Sequence, residues 1–100
     1  MEVNKQEIII LLVEDELNIA KLFQHNLGKA GFHCEHANNG KEGLILAHKI
    51  KPALIISDVM MPEMDGYEFR KSLLQDPELK SIPFVFLTAK GAEEDILQGY

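Results

Sequence analysis

The chain holds one cysteine, Cys34, in one hundred residues. No internal disulfide can brace it, which fits a reducing cytoplasm. Positive charge is also short: ten Lys and Arg stand against sixteen Asp and Glu, for a formal net charge of −6. That balance argues against direct nucleic-acid binding by this segment through a general basic face. No apolar run reaches the ~20 residues of a membrane-spanning helix, so no membrane partner is expected. The start, "MEVNKQE", lacks the charged-then-apolar layout of a secretory signal. Repeats, low-complexity tracts and linkers are missing as well. What remains is one cytoplasmic domain over residues 1–100, with 46% hydrophobic residues to build a core.

Strand and helix patterns alternate along that domain. "IIILLV" (8–13) is apolar throughout, as in a strand buried on both faces of a parallel sheet. Leu17, Ala20, Leu22, Phe23, Leu27 and Ala30 follow at helical spacing, with Gly31 as a stop. "FHCEHA" (32–37) alternates and reads as a half-exposed, edge-like strand. A second helix over "NNGKEGLILAHKIKP" would be capped by Asn38 or Asn39 and closed before Pro52. "ALIISD" (53–58) is another buried strand. "GYEFRKSLLQDP" is a third helix, with Tyr67, Phe69, Leu73 and Leu74 as candidate core contacts. "IPFVFLTA" (82–89) is a fourth strand, and "GAEEDILQGY" begins a fourth helix whose first-turn acids Glu93, Glu94 and Asp95 suit the helix dipole. The order βαβαβαβα predicts an α/β fold, a parallel sheet with helices on both faces.

Ligands of such sheets bind beyond the carboxyl ends of the strands. Strand one ends in Glu14 and Asp15, strand three in Asp58 and strand four in Thr88, while strand two ends quietly in Ala37 and Asn38. Carboxylates converging on one edge repel, and protonation or a cation relieves them. An all-oxygen carboxylate set suits Mg²⁺, which commonly serves phosphoryl chemistry. A carboxylate can also be the nucleophile, giving an aspartyl-phosphate, and a threonine hydroxyl can donate to a phosphoryl oxygen.

Three blocks, "LLVEDE", "ISDVMMPEMDG" and "FLTAK", together with their spacing, make the chain resemble the receiver domain of bacterial two-component response regulators from Ile8 to Tyr100. The resemblance implies a flavodoxin-like doubly wound sheet. It implies that Asp58 is the phosphoacceptor, charged by a sensor histidine kinase or phosphotransfer protein in a phosphorelay. Asp15 would bind Mg²⁺ directly, Glu14 through a water, with Asp58 and the Met60 backbone carbonyl completing the protein's share. Thr88 would be the switch hydroxyl, and the Ala89 N–H would face the phosphoryl group. Pro62 and Gly66 would shape the loop after strand three, and Met60 and Lys90 would flank the site. Partner choice in the family points to the helix over residues 16–27 as the kinase-facing surface. Such a domain is an acceptor and switch with only slow self-phosphorylation and self-dephosphorylation, not an enzyme.

Family members run longer, with a lysine-bearing loop, a fifth strand and a fifth helix. The expectation is therefore a C-terminally incomplete receiver with strand order 2-1-3-4, and self-association through the uncovered edge of strand four. Other classes fit less well. A dehalogenase-like phosphatase needs a second acid two residues after the nucleophile, where Met60 stands. A dinucleotide-binding module needs a glycine-rich turn after strand one, where "VEDEL" is acidic. A receiver-like interaction module that works without phosphorylation is the main alternative.

Several residues also have plainer readings. Glu14, Asp15 and Glu16 are placed to be first-turn helix acids. Asp65-Gly66 reads mostly as a turn signal, and Met64 as local packing. His33, Cys34 and His36 hint at a metal, but neighbours on a strand face opposite sides and no partners lie at zinc spacing. The reading is a buried Cys34 and solvated histidines.

Overall fold

A computed structural model describes residues 8–61 and 63–87. Within them the order is β1 (Ile9–Val13), α1 (Leu17–Lys29), β2 (His33–Ala37), α2 (Gly40–Ile50), β3 (Leu54–Asp58), α3 (Gly66–Leu74) and β4 (Phe84–Leu87). All pairings are parallel and the strand order is β2-β1-β3-β4. The expected fourth helix, with Glu93, Glu94 and Asp95, lies outside the described residues, as do Pro62, Thr88, Ala89 and Lys90.

Helix ends follow local chemistry. Asn39, not Asn38, caps α2: its side chain accepts from the Glu42 N–H at 3.0 Å. Asp65 and Glu68 form a reciprocal capping box at α3. α1 closes with paired bonds from the Phe32 N–H to the Leu27 carbonyl and from the Gly31 N–H to the Gly28 carbonyl, a Schellman arrangement. Glu14, Asp15 and Glu16 precede α1 rather than forming its first turn.

The chain steps one way from β1 to β2 and the other way from β2 to β3 and β4. Right-handed crossovers then put α1 on one face and α2 and α3 on the other. Leu11, Val13, Ala37, Ala47, Ile55, Phe69, Leu73 and Leu79 make the buried core on the α2–α3 side. Ile10 and Leu12 alternate to the α1 side and are buried there. The reversal also makes a switch point: the carboxyl ends of β1 and β3 lie side by side while their following loops diverge.

One helix reading is corrected. On α3, Phe69 and Leu73 are buried, but Tyr67 and Leu74 are 62% and 54% exposed. The helix is short, and the Phe69–Leu73 row is the part of it buried in the core. Tyr67 instead leans its ring on Phe86, centroids 5.0 Å apart. On α1, Ala20 is buried, whereas Leu17, Leu22 and Ala30 are exposed: apolar spacing marks a face but not how far a neighbour covers it. Phe69→Ala should cost about 3–5 kcal/mol of stability and Leu22→Ala less than about 1 kcal/mol, read from urea unfolding.

Candidate phosphoacceptor site

β1 and β3 deliver three carboxylates to one point. Glu14 and Asp15 follow the last residue of β1, and Asp58 ends β3. One carboxylate oxygen from each lies within 4.8 Å of the others. Glu14 is 1% exposed and Asp58 8%, while Asp15 faces solvent.

The backbone is pinned on both sides of this cluster. The Glu14 N–H donates to the Ala37 carbonyl at 3.0 Å, and the Glu14 carbonyl lies 2.7 Å from His36 Nε2. Gly66 N–H donates to the Val59 carbonyl at 2.9 Å, drawing the start of α3 against the end of β3. A Cβ at Gly66 would stand 2.3 Å from the Asp58 carbonyl oxygen; no other residue permits this approach. Asp65-Gly66 is thus a helix cap followed by a steric necessity, more than a turn signal. The Ser57 hydroxyl, fully buried, donates to the Asp58 carbonyl at 2.9 Å.

The carboxylates themselves are less well satisfied. Asp58 Oδ1 accepts from the Val59 N–H and Glu14 Oε2 from the Glu16 N–H, each at 2.9 Å. Glu14 Oε1 is buried with no hydrogen-bond partner among the described residues, which is costly for a charged group. Burial pushes the Glu14 carboxyl up to about 7, with Asp58 and Asp15 adding to the rise. Burial also raises Asp58, helped by Asp15 and opposed by the N–H groups of Val59 and Met60. An orphaned buried oxygen, three clustered carboxylates and open solvent beside Asp15 fit a hard divalent cation that keeps some of its waters.

Sequence reasoning placed these acids but missed two supports. His36 was read as solvated; it is half-buried and holds the Glu14 carbonyl. Only the register reveals this: His36 pairs with Leu12, just below the end of β1. Ser57 gave no signal beyond its place on a buried strand. His33 pairs with Glu35 on one face, as the alternation predicts. Cys34 is half-buried rather than fully buried, and desolvation pushes its thiol up to about 11, so it is little ionised at neutral pH.

A family model described as the response regulator receiver domain matches residues 10–100. The chain belongs to that family. As a receiver domain of the two-component response regulators it shares 44% identity over 91 residues with a probable transcriptional regulator, ycf29, of Pyropia yezoensis, covering 91% of this chain and 41% of that protein. It is 43% identical over 94 residues to the polar-differentiation response regulator DivK of Brucella anthropi, covering 90% and 76%. Among solved structures, the chemotaxis response regulator CheY4 of Vibrio cholerae superposes with a TM-score of 0.81 at 36% identity, over 92% of this chain and 77% of that one. The receiver chain spans about two fifths of the ycf29 relative. Receivers of this family typically use Mg²⁺ at an acidic site, and Glu14, Asp15 and Asp58 form an acidic cluster here.

The raised Glu14 carboxyl sets a pH dependence. Below about pH 4.5 it is protonated folded or unfolded. From there to about 7 the unfolded chain loses the proton and the folded chain keeps it, so stability falls as pH rises. In a chelating buffer, stability should drop by up to about 3 kcal/mol across that window. Glu14→Gln should flatten much of the drop, and Mg²⁺ should offset it in the parent protein, both read by urea unfolding.

Proposed function

We propose that this receiver accepts a phosphoryl group on Asp58 from the phosphohistidine of a sensor histidine kinase or phosphotransfer protein. The observation that carries the reading is Asp58 itself: a carboxylate fixed at the end of a buried strand, beside Glu14 and Asp15. The Asp58 oxygen attacks phosphorus, the phosphorus–nitrogen bond breaks, and the imidazole leaves with the electron pair and takes up a proton. The product is an acyl phosphate. The rigid strand contributes alignment of the attacking oxygen.

Asp15, Asp58, the Met60 carbonyl and, through a water, Glu14 would hold Mg²⁺. A bound Mg²⁺ supplies neutralisation of the phosphoryl oxygens. Thr88 and Ala89 are carried over from the family motif as the switch hydroxyl and a backbone donor to the phosphoryl group. The acyl phosphate carries nearly two negative charges where the carboxylate carried one, and places them on three acceptor oxygens further from the strand, a change able to bias a two-state loop. In this reading the chain acts once per phosphoryl group as a cytoplasmic switch, rather than as a turnover enzyme. The exposed face of α1 is its kinase-facing surface. The names of the ycf29 relatives suggest transcriptional control as the output of the whole protein.

Intact mass spectrometry of the full-length protein with Mg²⁺ and a small acyl phosphate tests this. The expected result is a gain of one phosphoryl group, abolished by Asp58→Asn and by chelation. A parent protein that gains none from either the small donor or a panel of phosphorylated kinases would favour the phosphorylation-independent interaction module.

A further inference from the structure

The loop between Asp58 and α3 carries Met60, whose N–H acts on the Asp58 carboxyl. Its two ends are tied by the Gly66–Val59 hydrogen bond and by the Asp65–Glu68 capping box. Its middle is held from elsewhere. Glu63 has φ 66°, a left-handed conformation that is strained for a non-glycine residue. Such a conformation persists only where the surroundings enforce it.

The enforcing groups all come from the start of α2. Asn39 Nδ2 donates to Glu63 Oε2 at 3.2 Å, and Lys41 Nζ lies 3.9 Å from Glu63 Oε1. One residue along, Met64 sits against Gly40, where a Cβ would come within 2.7 Å of its Cγ and 2.9 Å of its carbonyl oxygen. Asn39 therefore does two jobs with one amide. Its oxygen caps α2 by accepting from Glu42 N–H, and its nitrogen grips the loop that follows the acceptor aspartate.

We propose that Asn39 and Glu63 form a positioning latch that holds the Met60-bearing loop in place beside the carboxylates, so that the cation site is formed before the cation arrives. This rests on the receiver reading above. Neither residue touches the phosphoryl group; both act through the loop, as outer partners orient the ligands of other metal sites. The latch also ties the geometry of the site to the N-terminus of α2.

Asn39→Ser separates the two jobs, because serine caps a helix as well as asparagine does but has no amide to give Glu63. It should weaken Mg²⁺ binding by about tenfold, measured by calorimetry at pH 8, and speed amide hydrogen exchange within 59–65. Its midpoint of thermal unfolding should stay within about 4 °C of the parent's. Asn39→Asp, which also caps, should do more, since it sets a carboxylate against Glu63. Adding Glu63→Gln to Asn39→Asp reverses donor and acceptor, and should recover most of the Mg²⁺ affinity and exchange protection. Parent-like affinity and exchange in Asn39→Ser, or no recovery in the double variant, would overturn the latch. A parent protein that binds no Mg²⁺ would overturn the receiver reading beneath it, a result distinct from parent binding left unchanged by the variants.

Discussion

Everything at this site depends on the cost of bringing carboxylates together at the end of a buried sheet. Glu14 and Asp58 are almost fully removed from water, Asp15 stands beside them, and one Glu14 oxygen has no partner among the described residues. Left alone, such a group relieves itself by holding protons, which is what the raised Glu14 and Asp58 carboxyls express. A divalent cation would relieve it in another way, by favouring the charged form of the carboxyls. The fold withstands the strain because both strands are locked into a parallel core, and because His36, Ser57 and Gly66 fix the backbone from which the acids project.

The topology explains why the acids meet. Reversal of direction at β1 sends α1 and α2 to opposite faces and leaves the ends of β1 and β3 adjacent. Two short apolar runs, each ending in acid, are sufficient to specify that point once they pair in parallel. The loop after Asp58 then has to turn back sharply. It does so by the contact of Gly66 with the Asp58 carbonyl and by a left-handed Glu63 held from α2.

Much of this was legible in the residues. Continuous apolar runs against alternating ones distinguished the inner strands β1 and β3 from the edge strand β2, while the strand order came from the family resemblance, since the equally apolar β4 lies at an edge. The acids announced themselves because charge at the end of a buried strand has few structural uses. What the sequence hid were contacts set by register and coverage. His36 looks like any polar residue of an alternating strand until its pairing places it beneath the Glu14 carbonyl. Tyr67 and Leu74 carry the same apolar signal as Phe69 and Leu73, and only the docking angle of α3 decides which are covered. Asn39 was seen as a cap, but its second bond joins residues far apart in sequence.

The central claim is that Glu14 is kept from ionising by its surroundings until a cation replaces its proton. Carbon-13 NMR of the Glu14 side-chain carboxyl, followed through a pH titration with and without Mg²⁺, addresses it directly. The expected midpoint is near 7 in chelator, with a clear fall when Mg²⁺ is added. A midpoint near the ordinary 4.5, unmoved by Mg²⁺, would contradict it.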